Sequence, residues 1–488
     1  MSEIVWIKKI NDVHLYVHCE PSVAKELSTY FTFEVPGAKF MPTVRNRMWD
    51  GKIRLFSLRN NTIYVGLLPY IKEFLNQNGI TYTIDDNLKH DPNVTEKNVI
   101  GFIKSLKIPL EYRDYQLQCI ISALMKQRGL FVSPTASGKS YIIYVLVRFY
   151  YLVLLNGKKK ILIIVPTTSL VEQMATDFVS YGWSQKKIHK IYSGYDKETH
   201  KPVVISTWQS LYKMPKKFFK DYKVIFGDEA HLFKAKSLTM IMEKLEDCPY
   251  RFGFTGTLDG TQTNRLVLEG LFGAAEHVTT TKELMDKDTI AKLSIDCLLL
   301  RHDEKVSKQM CSKDFSYNDE IDYLISHDKR NKFIRDLCKN VKGNVLCLYT
   351  RVEKHGERLL ELFKDIGKEV YFVHGGVGTD DREQIRNIAE KKNNIVILAS
   401  YGVFSTGINI RNLHNVVFAS PYKSRIKVLQ SIGRGLRRTE QKKGVKLFDI
   451  ADDLSYKNKK NFTLLHFQER INIYNEEQFD YRIDRVNI

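Results

Sequence analysis

The sequence predicts an α/β protein: two tandem parallel-sheet domains preceded by a small α+β module. Three observations predict it. Apolar, β-branched runs alternate with helical patterns from about residue 99 to 290. A second series of the same kind follows, as far as about residue 450. The first 92 residues differ, mixing short strand-like runs with one or two helices. Runs this continuous suit strands buried on both faces, as in a parallel sheet covered by helices. At 488 residues and 43% hydrophobic content, the chain has ample material for several cores.

In the N-terminal module, WIKKI (6–10) and VHLYVHC (13–19) flank Asn11 and Asp12 and read as a hairpin. EPSVAKELSTYF (20–31) has a proline near its start and helical spacing after it. VRNRMW (44–49), KIRLFSL (52–58) and TIYVGLL (62–68) read as three strands joined by tight turns. HDPNVTEKN (90–98) is polar and turn-rich, a linker. The first parallel series is GLFVS, KILIIVP, PVVIST, YKVIFGDE and YRFGFTGT; the second is NVLCLYT, EVYFVHG, NIVILAS, NVVFAS and VKLFDI. The expected divisions are 1–92 for the module, 93–290 and 291–455 for the two sheet domains, and 456–488 for a C-terminal helical extension.

Lys and Arg total 75 against 56 Asp and Glu, a net charge of +19. Such an excess points first to nucleic acid and second to an anionic membrane surface. The seven cysteines form no C-x-x-C pair, which suits reduced thiols in a cytoplasmic protein rather than disulfides or a zinc site. The N-terminal residues contain no apolar signal-type core. YIIYVLVRFYYLVLL (141–155) is apolar, but it is too short for a membrane span and contains Arg148, so a buried helix is expected.

SPTASGKS (133–140) lies between an apolar strand and a helix. That is the context of a phosphate loop, whose backbone N–H groups and helix N-terminus face the phosphates. Ser133 replaces the usual first glycine, which leaves the cradle of Thr135, Ser137 and Gly138 in place. Lys139 would meet the β- and γ-phosphates, and Ser140 would place its hydroxyl on magnesium. In VIFGDEAHLF (224–233), an apolar strand ends in Asp228 and Glu229. The first acid suits the magnesium shell and the second suits the attacking water. In VLQSIGRGLRR (428–438), Arg434 and Arg437 stand three apart and share a helix face, the spacing of arginine fingers on a γ-phosphate.

The motifs in this order resemble helicase superfamily 2 over about 109–450. YRDYQ (112–116) resembles the adenine-recognition motif, which implies Gln116 on the base with Arg113 nearby. VPTTSLVEQ (165–173), ISTWQSL (205–211), TGT (255–257), YTR (349–351), VHGG (373–376) and YGVFSTGINI (401–410) resemble the remaining motifs. Asn409 stands where several families carry Asp on the ribose, with Gly407 beside it. KILIIVPTTSLVEQMATDFVSYG, ASYGVFSTGI, QSIGRGLR and, in the module, WDGKIRL narrow the resemblance to phage recombination and repair helicases of the UvsW type.

That resemblance implies two RecA-like domains with ATP bound between them, and Gln430 helping to place the water. It implies Thr255 and Thr257 as the link from the γ-phosphate to the DNA side. Nucleic acid would be met by Thr167, Thr168, Thr207, Gln209, Arg351, His374, Gly375 and Ser400. The module is implied to bind duplex DNA. Its Arg45, Arg47, Lys52, Arg54 and Arg59, interleaved with Trp49 and Phe56, suit such a face. The implied activity is ATP-driven remodelling of branched or forked DNA, with RNA–DNA hybrids within its range. The implied setting is a monomer on DNA in the host cytoplasm, with single-strand-binding or recombinase proteins as candidate partners. The motifs leave open a double-stranded DNA translocase or clamp that separates no strands. They show no second acidic cluster of the kind a nuclease needs.

Overall fold

The computed structural model describes residues 4–88, 94–258, 260–311, 315–404, 410–422, 424–436, 442 and 444–488. The chain divides into two compact units: 1–133 with 138–278, and 279–488 with the four residues 134–137.

The first unit opens with the N-terminal module. Its strands are β1 (Val5–Lys9), β2 (His14–His18), β3 (Thr32–Glu34), β4 (Lys52–Arg54), β5 (Thr62–Tyr64) and β6 (Tyr82–Ile84). The expected hairpin is β1 and β2, paired antiparallel, in a sheet of order β5-β2-β1-β6. The helix Pro21–Tyr30 follows, with its proline in the first turn, where a missing N–H costs nothing. The reading of VRNRMW as a strand was wrong. Pro42 starts a short helix, Pro42–Arg45, and the Trp49 indole N–H donates to the Lys52 carbonyl at 3.0 Å, folding the chain back. β4 then pairs with β3 in a separate two-stranded sheet. The expected linker falls up to residue 93 outside the described residues, and its last three positions instead begin a helix at Glu96 capped by the Thr95 hydroxyl.

β7 (Arg128–Val132), β8 (Lys160–Val165), β9 (Ile188–Ile191), β10 (Val203–Thr207), β11 (Tyr222–Asp228), β12 (Tyr250–Thr255) and β13 (Ala275–His277) form an all-parallel sheet of order β13-β7-β12-β11-β8-β10-β9. The sequence marked five of these strands; β9 and β13 are short edges with weak patterns. The apolar segment 141–155 is a buried helix as far as Tyr150, and its π-helical last turn, Tyr150–Leu154, exposes Leu152, Val153 and Leu154. Arg251 is wholly buried in β12, where its guanidinium donates to the carbonyls of Cys248, Met242 and Leu245.

The module and this sheet share one apolar core, from Leu15, Phe31 and Phe56 to Leu266 and Phe272. Phe56 is therefore core rather than a stacking surface. The contact is close: a Cβ on Gly66 would lie 1.9 Å from the Glu269 carbonyl oxygen.

The second unit carries β14 (Lys292–Arg301), β15 (Val345–Tyr349), β16 (Val370–Val373), β17 (Val396–Ser400), β18 (Asn415–Phe418), β19 (Gly444–Asp453) and β20 (Tyr481–Asn487), again all parallel, in the order β16-β17-β15-β18-β19-β14-β20. The segment after 456 is not simply helical. Helix Phe462–Glu476 is followed by β20, which pairs with β14 from Ile295 to Arg301. None of the seven cysteines forms a disulfide. Among the described residues no helix is long and apolar enough to cross a membrane.

Gly66→Ala is expected to cost about 2–3 kcal/mol in urea unfolding, because a carbonyl blocks the new methyl. Gly101→Ala, in a helix with open space around it, should gain about 0.5–1 kcal/mol.

Candidate active site

Parallel pairing brings the acidic and phosphate-loop motifs to one edge of the first sheet. β12 lies between β7 and β11, with Thr255 opposite Val132 and Phe254 opposite Asp228. The phosphate loop leaves β7, the TGT segment leaves β12, and Asp228-Glu229 ends β11. The segments after β8 and β10 leave from the same edge, with Thr207 opposite Val165. In parallel α/β sheets this carboxyl edge is where ligands bind.

The loop has the conformation of an anion cradle. Ala136 and Gly138 both have positive φ, 68° and 82°, which turns successive N–H groups inward. Ser133 is buried, and its N–H donates to the Thr255 carbonyl at 2.8 Å, so the missing first glycine is replaced by a strand-like tie. Ser137 is buried too. The Lys139 ammonium donates to the Ser133 carbonyl at 3.1 Å, and the Ser140 hydroxyl meets the Tyr181 phenol at 3.1 Å. Gln116 is buried, and its Oε1 accepts from the Arg113 N–H at 2.9 Å. Its amide Nε2 lies 2.4 Å from where a Cβ on Gly138 would stand, and the φ of 82° at Gly138 also favours glycine there. The exposed Arg113 guanidinium donates to the Tyr115 phenol.

Glu229 sits in the left-handed region at φ 50°, and its N–H donates to Asp228 Oδ1 at 3.0 Å. Asp228 keeps an open edge, but protein atoms crowd its carboxyl. Burial and the neighbouring Glu229 push it up to about 6, against the pull of Lys139. Glu229 Oε2 is buried with no hydrogen-bond partner, 3.4 Å from His231 Nδ1. Two crowded carboxyls with one unsatisfied oxygen fit a divalent cation. Among the described residues there is no group of three His, Cys, Asp or Glu able to hold a metal alone. A magnesium ion here would complete its shell with phosphate and water, as this ion commonly does.

His231 was not singled out from the sequence, although it ends the DEAH run. It is buried, and its Nδ1 lies 2.9 Å from Thr255 Oγ1, which donates to the Thr257 carbonyl at 2.9 Å. The pair joins the end of β11 to the end of β12.

Thr167 caps the helix Thr168–Ser180 by accepting from the Leu170 N–H. Thr168 and Gln209 are exposed, whereas Thr207 is buried with its hydroxyl on Ser210. In the second unit, Ser400, Tyr349 and Val373 end adjacent strands. Arg351 (φ 57°) is ion-paired with Asp322 and donates to Asn318. His374 Nδ1 accepts from the Gly376 N–H, and Gly375 is exposed. Gln430 and the backbone of Arg434 lie on helix Arg425–Gly435. Gly407, Asn409, Arg437 and the Arg434 side chain lie outside what is described. In the module, Arg45, Arg47 and Arg59 are exposed, Trp49 and Lys52 are half-buried, and Arg54 is paired with Asp50.

Two seven-stranded parallel sheets, one bearing a phosphate loop beside an acidic strand end, define a superfamily 2 helicase built on RecA-like folds. Residues 7–85 match the family "DNA helicase UvsW, N-terminal", 109–260 match "Type III restriction enzyme, res subunit", and 328–439 match "Helicase conserved C-terminal domain". The ATP-dependent DNA helicase uvsW of Enterobacteria phage T4 is 35% identical over 97% of this chain and 98% of its own. The crystal structure of T4 UvsW aligns with a TM-score of 0.53 at 33% identity, covering 99% of this chain and 100% of that one. A DNA 3'-5' translocase XPB2 of Sulfurisphaera tokodaii is 22% identical over 74% of this chain and 85% of its own. The chain belongs to the UvsW family of ATP-dependent DNA helicases.

The raised Asp228 carries a stability consequence. A carboxyl lifted from 3.8 to about 6 in the fold destabilises the folded state fully above pH 6 and not at all below about pH 4. Asp228→Asn should therefore raise the unfolding free energy at pH 8 by on the order of 1–3 kcal/mol while abolishing ATP turnover. The gain over wild type should fade as the pH of the denaturation series is lowered toward 4.

Proposed function

We propose that this helicase hydrolyses ATP with magnesium and uses the cycle to remodel branched DNA, regressing forks, migrating four-way junctions and unwinding D-loops or R-loops. The observation that supports this best is the match along the whole chain, including the N-terminal module, to a phage DNA helicase. Lys139 and the loop N–H groups hold the phosphates. Ser140 and Asp228 would hold the magnesium ion, which would supply charge neutralisation on the phosphate oxygens. Glu229, oriented by His231, takes the proton of the attacking water. Gln430 orients that water, and Arg434 and Arg437 meet the charge that develops on the γ-phosphate. Gln116 and Arg113 read the adenine end, and Gly407 and Asn409 the ribose.

DNA is gripped through phosphates by the Thr167, Thr168, Thr207, Gln209, Arg351, His374, Gly375 and Ser400 segments, so structure rather than sequence selects the substrate. Arg45, Arg47, Trp49, Lys52 and Arg54 hold a duplex arm. A motor on one strand and a module on a neighbouring arm engage together only at a junction, which raises the effective concentration of each contact. The protein acts as a monomer on DNA in the host cytoplasm, alongside single-strand-binding or recombinase proteins.

The test uses a labelled four-way junction with homologous arms, a fork and a tailed duplex of matched length, with ATP and magnesium. Junction migration faster than tailed-duplex unwinding is expected, and none with Lys139→Ala. Equal or better activity on the tail would leave a generic unwinding helicase. ATP hydrolysis stimulated by duplex with no strand exchange would leave a duplex translocase. Glu229→Gln should keep ATP binding in a nucleotide-binding assay and lose about 10²–10⁴ in turnover.

A further inference from the structure

We infer that Lys442 is a positioning residue for ATP hydrolysis, tying the C-terminal end of helix Arg425–Gly435 to the chain that leaves the 401–410 motif. The inference rests on the ATP-hydrolysing role proposed above for that helix. Lys442 is 2% exposed. Its ammonium donates to the carbonyls of Gly435 and Arg411, both at 2.7 Å. Gly435 ends the helix that bears Gln430 and Arg434. The last carbonyls of a helix lack intrahelical donors, and a cation there also suits the helix dipole.

Arg411 is itself fixed. Its N–H donates to Glu390 Oε1 at 2.6 Å, and the Asn412 carbonyl accepts from the Asn344 amide at 2.8 Å. Lys442 therefore registers the end of the arginine helix against an anchored strand entry. The helix has little freedom sideways: a Cβ on Gly435 would stand 3.2 Å from Val445 and 3.4 Å from Val416. Its start is held as well, because Arg425 is paired with Glu476 and Glu477. What Lys442 adds is a fixed position at the far end.

Burying the ammonium is costly. Burial pushes Lys442 down to about 8, with Glu390 offsetting part of the shift. A methionine would fill the same volume without that cost, so directional polar contacts, the bonds to Gly435 and Arg411 among them, are what the lysine contributes. A misplacement of 1 Å in a reacting group costs about 10²-fold in rate, so a small drift of this helix end is enough to disable the arginines.

The test is steady-state ATP hydrolysis with and without forked DNA for the full chain, Lys442→Met, Lys442→Arg and Glu390→Ala, with unfolding midpoints measured alongside. Lys442→Met should lose about tenfold or more in DNA-stimulated kcat, with the KM for ATP within about twofold of wild type. Lys442→Arg should recover most of that loss. Glu390→Ala, which removes both the acceptor of the Arg411 N–H and the carboxylate that supports the Lys442 ammonium, should lose about threefold or more in kcat, and it carries the test if Lys442→Met does not fold. The role of Lys442 is overturned by a Lys442→Met kcat equal to wild type, by a loss no larger than the unfolded fraction, or by Glu390→Ala turning over normally. Wild-type protein without DNA-stimulated hydrolysis would instead overturn the proposed function itself.

Discussion

Parallel pairing makes every strand of the first sheet end on the same edge, and the chemistry depends on that constraint. Residues far apart in sequence reach one line only because β7, β12 and β11 are neighbours in register. The order is not sequential, so no local pattern could bring Ser133 and Asp228 to the same level. The edge also concentrates like charge. Asp228 and Glu229 sit together with their carboxyls crowded by protein atoms, and the repulsion between them suits a cation. Backbone at positive φ does the same on the opposite side of the charge scale, presenting N–H groups toward an anion.

That edge is supported from behind by glycines inside the strands. A Cβ on Gly227 would lie 2.7 Å from Phe233 and 2.9 Å from Phe272, and one on Gly253 would lie 2.9 Å from Leu130. The two phenylalanine rings therefore lie directly on β11 and β12. Phe233 fixes the turn after the acidic pair, and Phe272 ends the helix Gln262–Phe272. The N-terminal module is seated on that same helix. Tyr64 packs on Gly270, the Tyr70 phenol donates to Glu269 at 2.5 Å, and Arg128 of β7 donates to the Asp12 carbonyl at 2.8 Å. A continuous core then runs from the module to the acidic strand end, unlike a module on a flexible linker.

Much of this was legible in the sequence because buried parallel strands read as unbroken apolar runs and the phosphate-loop and DEAH signals mark two strand ends. What was not legible has physical causes. VRNRMW has the composition of a strand, yet Pro42 upstream and the Trp49 indole bond downstream make it helix and turn. β9 is a four-residue edge strand whose middle is the half-buried pair His189 and Lys190, and β20 is a largely exposed edge strand, so both lack the apolar run that marked the others. His231 is invisible to composition, since its role lies in a bond to a residue 24 positions away. Phe56 looked like part of a basic aromatic surface and is core, because the strand ends at Arg54 and the chain then buries Leu55 and Phe56 together in the cluster shared with the first sheet, which breaks the alternation.

The second unit solves a different problem with charge. Its sheet is apolar at β15, β17 and β18, but β19 carries three aspartates inward or half-inward along one run. Asp449 takes the Arg470 guanidinium and the Tyr474 phenol; Asp452 takes Arg330 and His302. Burial alone would push Asp452 up, yet Arg330 and His302 hold it down at about 2. Such buried pairs add little net stability over apolar packing, but breaking one is costly, so their worth lies in fixing geometry. The Asp449–Arg470 pair fixes the start of the arginine helix. Arg470 also donates to the Tyr422 carbonyl at 2.9 Å, two residues before the Ser424 cap of that helix. Arg470 belongs to helix Phe462–Glu476, whose last turn supplies Glu476 to Arg425. The C-terminal segment is therefore a brace. It holds the start of the helix through charge, while Val428, Leu429 and Ile432 hold its middle through burial. Apolar contacts alone leave a helix able to slide along its axis, since they have no direction. Directional bonds remove that freedom, which the phosphoryl-transfer role proposed for this helix requires.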